Sequence, residues 1–276
     1  MNARDVALTG VPRGGTTLAC RLLGQCERTV ALFEPMPVLA LPCERAAAVE
    51  AVQAYYREVR AQIAREGTAP SQQQHGRVPD NPFAEPDPSG VRPAQASAGL
   101  LRVDPNLGDS CTLAIKHNAA FTALLPELAQ CMPTVAIVRN PLAVLASWQS
   151  VPLPVREGRV PAGERFDPAL RRRLDDANAP LERQLIVLDW CFRQYAEHLP
   201  PAQVIRYETM IASQGEALRH ALALRGQADA PLSERRPRRL CSAAALHALA
   251  DVLCSRDGAW RLWYDHDSIR QLAADA

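Results

Sequence analysis

Residues 8–23 read LTGVPRGGTTLACRLL. A short apolar run at 6–8 leads into a Pro- and Gly-rich turn, and an apolar pattern of helical period opens at Thr16. A strand that turns abruptly into a helix aims several backbone N–H groups and the helix N-terminus at one point, which makes an anion site. The stretch therefore predicts an α/β fold that opens on a phosphate-type cradle.

The spacing is close to G-x-x-x-x-G-K-[ST], with Gly10, Gly15 and Thr17 in register. Thr16 stands where that pattern has lysine, and the nearest cation is Arg13, inside the turn. The lysine of a triphosphate loop reaches the β and γ phosphates, and the next hydroxyl holds Mg²⁺. Its loss argues against a triphosphate held through a metal. What remains suits one tetrahedral group plus a transferring group, with Arg13 balancing charge. A tight strand–helix turn without a ligand is the plain alternative.

Outward from this turn, β-branched runs at 6–8, 29–33, 112–115, 135–138 and 204–206 alternate with helical patterns at 16–24, 44–65, 121–130, 142–150, 181–199, 215–224 and 242–253. Alternation of this kind predicts a P-loop-like three-layer α/β fold, a central mainly parallel sheet flanked by helices. Residues 1–276 are read as one domain. Two Pro-rich stretches, 67–107 and 151–168, break the pattern and are read as lid or acceptor-binding loops, with simple disorder as the alternative.

Ligands of open parallel sheets bind beyond the carboxyl ends of the strands. The first strand delivers Gly10–Thr17 to that edge, the second Glu34 in FEP, the third Lys116 and His117, the fourth Arg139, the fifth Tyr207 and Glu208. In VAIVRNPLAVLASW, 135–148, a strand ends at Arg139, Pro141 opens a helix, and Ser147 lies about two turns along it. An arginine and a serine so placed can grip one phosphate from two sides. An arginine capping its own turn, beside a solvent-facing serine, is the bland reading.

PRGGTTL at 12–18 followed by VRNPLAVLASW resembles the paired signatures with which sulfotransferases hold 3′-phosphoadenosine 5′-phosphosulfate (PAPS). FEP at 33–35 resembles the motif of bacterial and carbohydrate-type members, and RYETM at 206–210 the family's later Tyr-Glu segment. The resemblance implies that Pro12, Arg13, Gly14, Gly15, Thr16 and Thr17 hold the 5′-phosphosulfate while Arg139 and Ser147 hold the 3′-phosphate. It further implies sulfuryl transfer to a hydroxyl of a carbohydrate or other small-molecule acceptor, by in-line displacement and without a metal. Arg13 and Lys116 would stabilise charge. Glu34 and His117 compete as general base, with Glu34 preferred because FEP is the closer match. Gly14 replaces the usual loop serine, and the Gly-rich C-terminal segment of cytosolic animal members has only a faint substitute in SRDGAW at 255–260. Two alternatives stand: a Mg-ATP-dependent kinase or NTPase, and a catalytically silent nucleotide-binding protein.

Composition excludes little but is consistent: 47% hydrophobic, 22% charged, net charge +1. Near-neutrality gives no support to nucleic-acid or membrane-surface binding, and no apolar run approaches the roughly 18 residues of a membrane span. The first strand starts close to Met1, and a cytoplasmic location is the expectation. Eight scattered cysteines without a Cys-x-x-Cys pair read as reduced core residues. The basic clusters at 171–173 and 235–239 read as solvated faces. Of 31 basic residues, Lys116 alone is lysine.

Overall fold

A computed structural model describes residues 4–88, 90–108, 110–233 and 241–275. The 235–239 cluster lies outside them. Five parallel strands form the central sheet: β1 (Arg4–Gly10), β2 (Thr29–Phe33), β5 (Thr112–Lys116), β6 (Thr134–Val138) and β7 (Val204–Arg206), in the order β2-β5-β1-β6-β7. Strands covered on both faces read as continuous apolar runs rather than alternating ones. Accordingly β2 and β6 are buried at every position, and β1 from Val6 to Gly10.

Helices flank the sheet. The first four are α1 (Thr16–Gly24), α2 (Arg45–Glu66), α3 (Ala119–Ala123) and α4 (Leu125–Cys131). Then come α5 (Pro141–Gln149), α6 (Pro161–Glu164), α7 (Pro168–Asp176) and α8 (Pro180–His198). The chain ends with α9 (Tyr207–Ala212), α10 (Glu216–Ala221), α11 (Ala243–Cys254) and α12 (His266–Ala274). The single helix expected at 121–130 is two, because Pro126 lacks the N–H that would continue α3 and instead sits in the first turn of α4. None of the described helices is long and apolar enough to cross a membrane. Cys20, Cys26, Cys111, Cys191 and Cys254 are buried, whereas Cys43 and Cys131 are exposed.

The stretch expected as a loop at 67–107 contains an antiparallel pair, β3 (Thr68–Gln73) and β4 (Ser97–Arg102). Its Pro and Gln content hid the pairing; Ser71, whose hydroxyl accepts from the Phe33 N–H at 3.0 Å, ties it to β2. The second expected loop, 151–168, contains a 3₁₀ turn at Pro154–Glu157 and α6. Arg171–Arg173 stand exposed on α7, as a solvated face should.

Register decides what meets at the carboxyl edge. Phe33 and Lys116 pair, Gly10 pairs with Ile137, and Val138 with Arg206. The next residues along β2 and β5 are therefore Glu34 and His117, level with each other, and those along β6 and β7 are Arg139 and Tyr207, level with each other beside the turn that follows β1. The chain leaves β1 towards β2 on one side, while β6 and β7 lie on the other. The loop after β1 thus sits where the strand order reverses, the place where open α/β sheets bind ligands.

Candidate active site

The turn after β1 is built by close contact. Val11 N–H donates to the Ile137 carbonyl (3.0 Å) and Gly14 N–H to the Val11 carbonyl (2.8 Å). A Cβ on Gly10 would lie 2.3 Å from the Ile137 carbonyl oxygen, and one on Gly15 would lie 2.4 Å from the Tyr207 ring. Gly15, with φ at +95°, is the N-cap of α1, and no side chain caps that helix. The first N–H groups of a helix have no intrahelical partner, so here they face the cleft that Thr16 and Thr17 line. Gly14 spends its own N–H closing the turn and acts as shape rather than donor.

The cleft has a volume of about 770 Å³. Pro12, Arg13, Gly15, Thr16 and Thr17 form one wall; Arg139 and Ser147 stand beside them. Glu34 and Lys116 line the same cleft. Nine of the sequence-expected site residues thus converge. Arg13, held at φ +67°, donates from Nε to the Ser147 hydroxyl at 3.2 Å, which joins the loop after β1 to α5. The Trp148 indole N–H donates to the Pro12 carbonyl at 2.8 Å and locks the same two segments from behind.

The turn at Arg139–Asn140 is braced from three directions. Asn140 caps α5, its side-chain oxygen accepting from Leu142 N–H at 3.0 Å, while its amide donates to the Ser268 carbonyl at 3.1 Å. Glu208 accepts from Asn140 N–H (3.0 Å) and from the Tyr264 hydroxyl (2.6 Å). Arg139 stacks over the Tyr207 ring at 4.3 Å, and that ring also packs against Gly15. One tyrosine therefore shapes both the turn after β1 and the turn before α5.

Glu34, at φ +44°, accepts from Lys116 Nζ at 2.5 Å. The lysine is 3% exposed and lies 4.5 Å above the Phe33 ring, while the glutamate side chain is 39% exposed at the cleft. Burial pushes the Glu34 pKa up, but Lys116 and the neighbouring His117 outweigh it, and the group stays below the usual carboxylate range. It is a carboxylate at neutral pH.

His117 is placed differently. Its ring is 4% exposed, and its Nε2 accepts from Met36 N–H at 3.2 Å, so the proton is on Nδ1. Burial, reinforced by Lys116 and opposed by Glu34, lowers its pKa to about 4. The imidazole is neutral at pH 7, and the lone pair a base would use is already engaged.

Sequence reasoning missed Asn140, Trp148 and Tyr264 as braces, and missed Asn81 and Phe83, which line the cleft against Arg13. The first two lie inside the stretch 135–148, where the strand–Asn-Pro–helix pattern carried a signal; the others belong to segments with no recognisable spacing.

No family model matches the chain, and no curated protein matches it. Among solved structures it is similar to a sulfotransferase from Alicyclobacillus acidocaldarius, with 14% identity over 97% of this chain and 98% of that one and a TM-score of 0.42. Identity and TM-score this low leave the function to the geometry of the cleft. Fold and cleft together define the class: an α/β protein with a central five-stranded parallel sheet flanked by helices and a cleft at the carboxyl edge of that sheet.

Proposed function

We propose that this protein transfers the sulfuryl group of PAPS to a hydroxyl of a small polar acceptor such as a carbohydrate. The observation that carries the reading is the contact of Arg13 with Ser147 above the uncapped start of α1. It merges two anion-binding elements, far apart in sequence, into a single donor wall. The residues fit the nucleotide: Gly15 leaves the space a Cβ would fill, Thr16 and Thr17 offer N–H and hydroxyl donors, and Arg139 is held flat on Tyr207.

PAPS, when bound, supplies a sulfuryl group on a good leaving group. Transfer of this kind passes through a loose transition state, in which positioned donors do most of the work. Arg13 and the first N–H groups of α1 stabilise the charge that develops on the bridging and equatorial oxygens. Glu34 would take the acceptor proton while Lys116 fixes the carboxylate, so that the acceptor O–H bond and the sulfuryl group's bond to the phosphate oxygen break as the new O–S bond forms, and 3′-phosphoadenosine 5′-phosphate departs. His117 holds the turn at Met36 and leaves the proton transfer to Glu34. A metal is not required by this arrangement.

Calorimetric titration with 3′-phosphoadenosine 5′-phosphate, beside AMP and ATP with and without Mg²⁺, tests the reading. Metal-independent binding that needs the 3′-phosphate is expected. A preference for Mg-ATP would make the protein a kinase or NTPase instead. Binding without any sulfuryl transfer from PAPS across an acceptor screen would make it a silent nucleotide binder.

A further inference from the structure

The segment between β3 and β4 carries no motif, yet it supplies two contacts to Arg13. Asn81 Oδ1 accepts from Arg13 Nη2 at 3.2 Å, and the guanidinium lies 4.6 Å above the centre of the Phe83 ring. Both residues line the cleft.

The arm that bears them is tied down on both sides of the anion site. Asp80 pairs with Arg21 of α1 at 2.7 Å. Arg92 N–H donates to the Ser150 carbonyl at 2.8 Å, just past α5, and the Arg92 guanidinium donates to the Ala84 carbonyl at 2.7 Å. Asn81 is oriented by its own turn: its Nδ2 donates to the Phe83 carbonyl at 2.9 Å, which leaves Oδ1 turned to Arg13. Phe83 itself is 8% exposed. The arm is a built wall.

We propose that Asn81 and Phe83 are positioning residues for Arg13, and the proposal rests on the reading of the cleft given above. Arginine has a long side chain whose immobilisation opposes binding. Here Ser147 fixes one edge, Asn81 another, and Phe83 one face. An amide, a hydroxyl and a ring are neutral, so these three contacts orient the guanidinium without bringing a counter-charge of their own, whereas a carboxylate in the place of Asn81 would compete with the incoming anion. The insert thus pre-aligns the cation of a cradle that the strand–helix turn alone leaves loose.

The test is a double-mutant cycle on the full chain, titrated with 3′-phosphoadenosine 5′-phosphate, with thermal melts to confirm folding. Asn81→Ala is expected to weaken binding about tenfold in the wild-type background, and to change little once Arg13→Ala is present. Phe83→Leu should weaken binding similarly, and Phe83→Tyr, which keeps the ring face, should restore it. Equal weakening in both backgrounds would show a merely structural arm and overturn the proposal. Unchanged or tighter binding by both Asn81→Ala and Phe83→Leu would overturn it too, the tighter result meaning that the arm competes with the nucleotide. A wild-type protein that binds no nucleotide has a different signature; it removes the cofactor reading and this proposal together.

Discussion

Arg13 and Glu34 are both held in the left-handed region, at φ +67° and +44°. Non-glycine residues in that region cost of order 1–3 kcal/mol each, and such strain gathers at functional sites. Arg13→Gly should therefore relax the backbone while losing the cation: unfolding midpoints hold or rise, and affinity for 3′-phosphoadenosine 5′-phosphate falls about ten- to a hundredfold, the worth of charge-assisted hydrogen bonds. Glu34→Gln keeps the size of the side chain and removes the proton acceptor. Its kcat should drop by about 10²–10⁴ with nucleotide affinity nearly unchanged, and a variant with full kcat would rule Glu34 out as the base. Gly15→Ala pushes a methyl to 2.4 Å from the Tyr207 ring, so nucleotide binding should be lost even where the protein still folds. The strand-end position of Glu34 was legible because it follows an apolar run, and the turn that holds Arg13 and Gly15 was legible from its Pro and Gly spacing. The fate of His117 was not: whether a strand-end histidine faces a cleft or a backbone N–H depends on how the chain beyond β2 curls, and Met36 gave no sign of that.

The strands were the most legible elements, since all five central ones are apolar runs that a sheet covered on both faces requires. Helix ends were legible where chemistry marks them, as at Asn140-Pro141. Asn140→Ala removes both the α5 cap and the tie to Ser268, and should lower stability by about 1–2 kcal/mol in denaturant titrations. Tilting that turn should also weaken nucleotide binding, because Arg139 leaves from the residue before it. The β3–β4 pair was illegible for a physical reason. A strand that buries Ala69 and Ser71 while carrying Pro70 and a run of glutamines has almost no apolar alternation to read. Its place beside Phe33 comes from tertiary contact, not local propensity.

At the scale of the whole molecule, neither candidate base titrates near neutrality. With Glu34 acting as a carboxylate held below its ordinary range, kcat/KM should stay flat through pH 6.5 and fall only in the acid range; a step near 6.5 would rule out both Glu34 and the buried His117, whose pKa is lowered to about 4. Stability behaves differently. His117 binds its proton at 6.5 when unfolded and at about 4 when folded, so the unfolded chain takes up protons first as pH falls. Stability should decline between those values by about 3 kcal/mol from this group, and His117→Asn should flatten that part of the curve. The lone lysine has a practical consequence. Apart from its N-terminus the chain carries one amine, 3% exposed and clasped by Glu34. Lysine labelled with nitrogen-15 would therefore give a single side-chain resonance from the heart of the cleft, a spectroscopic window on every ligand that enters it.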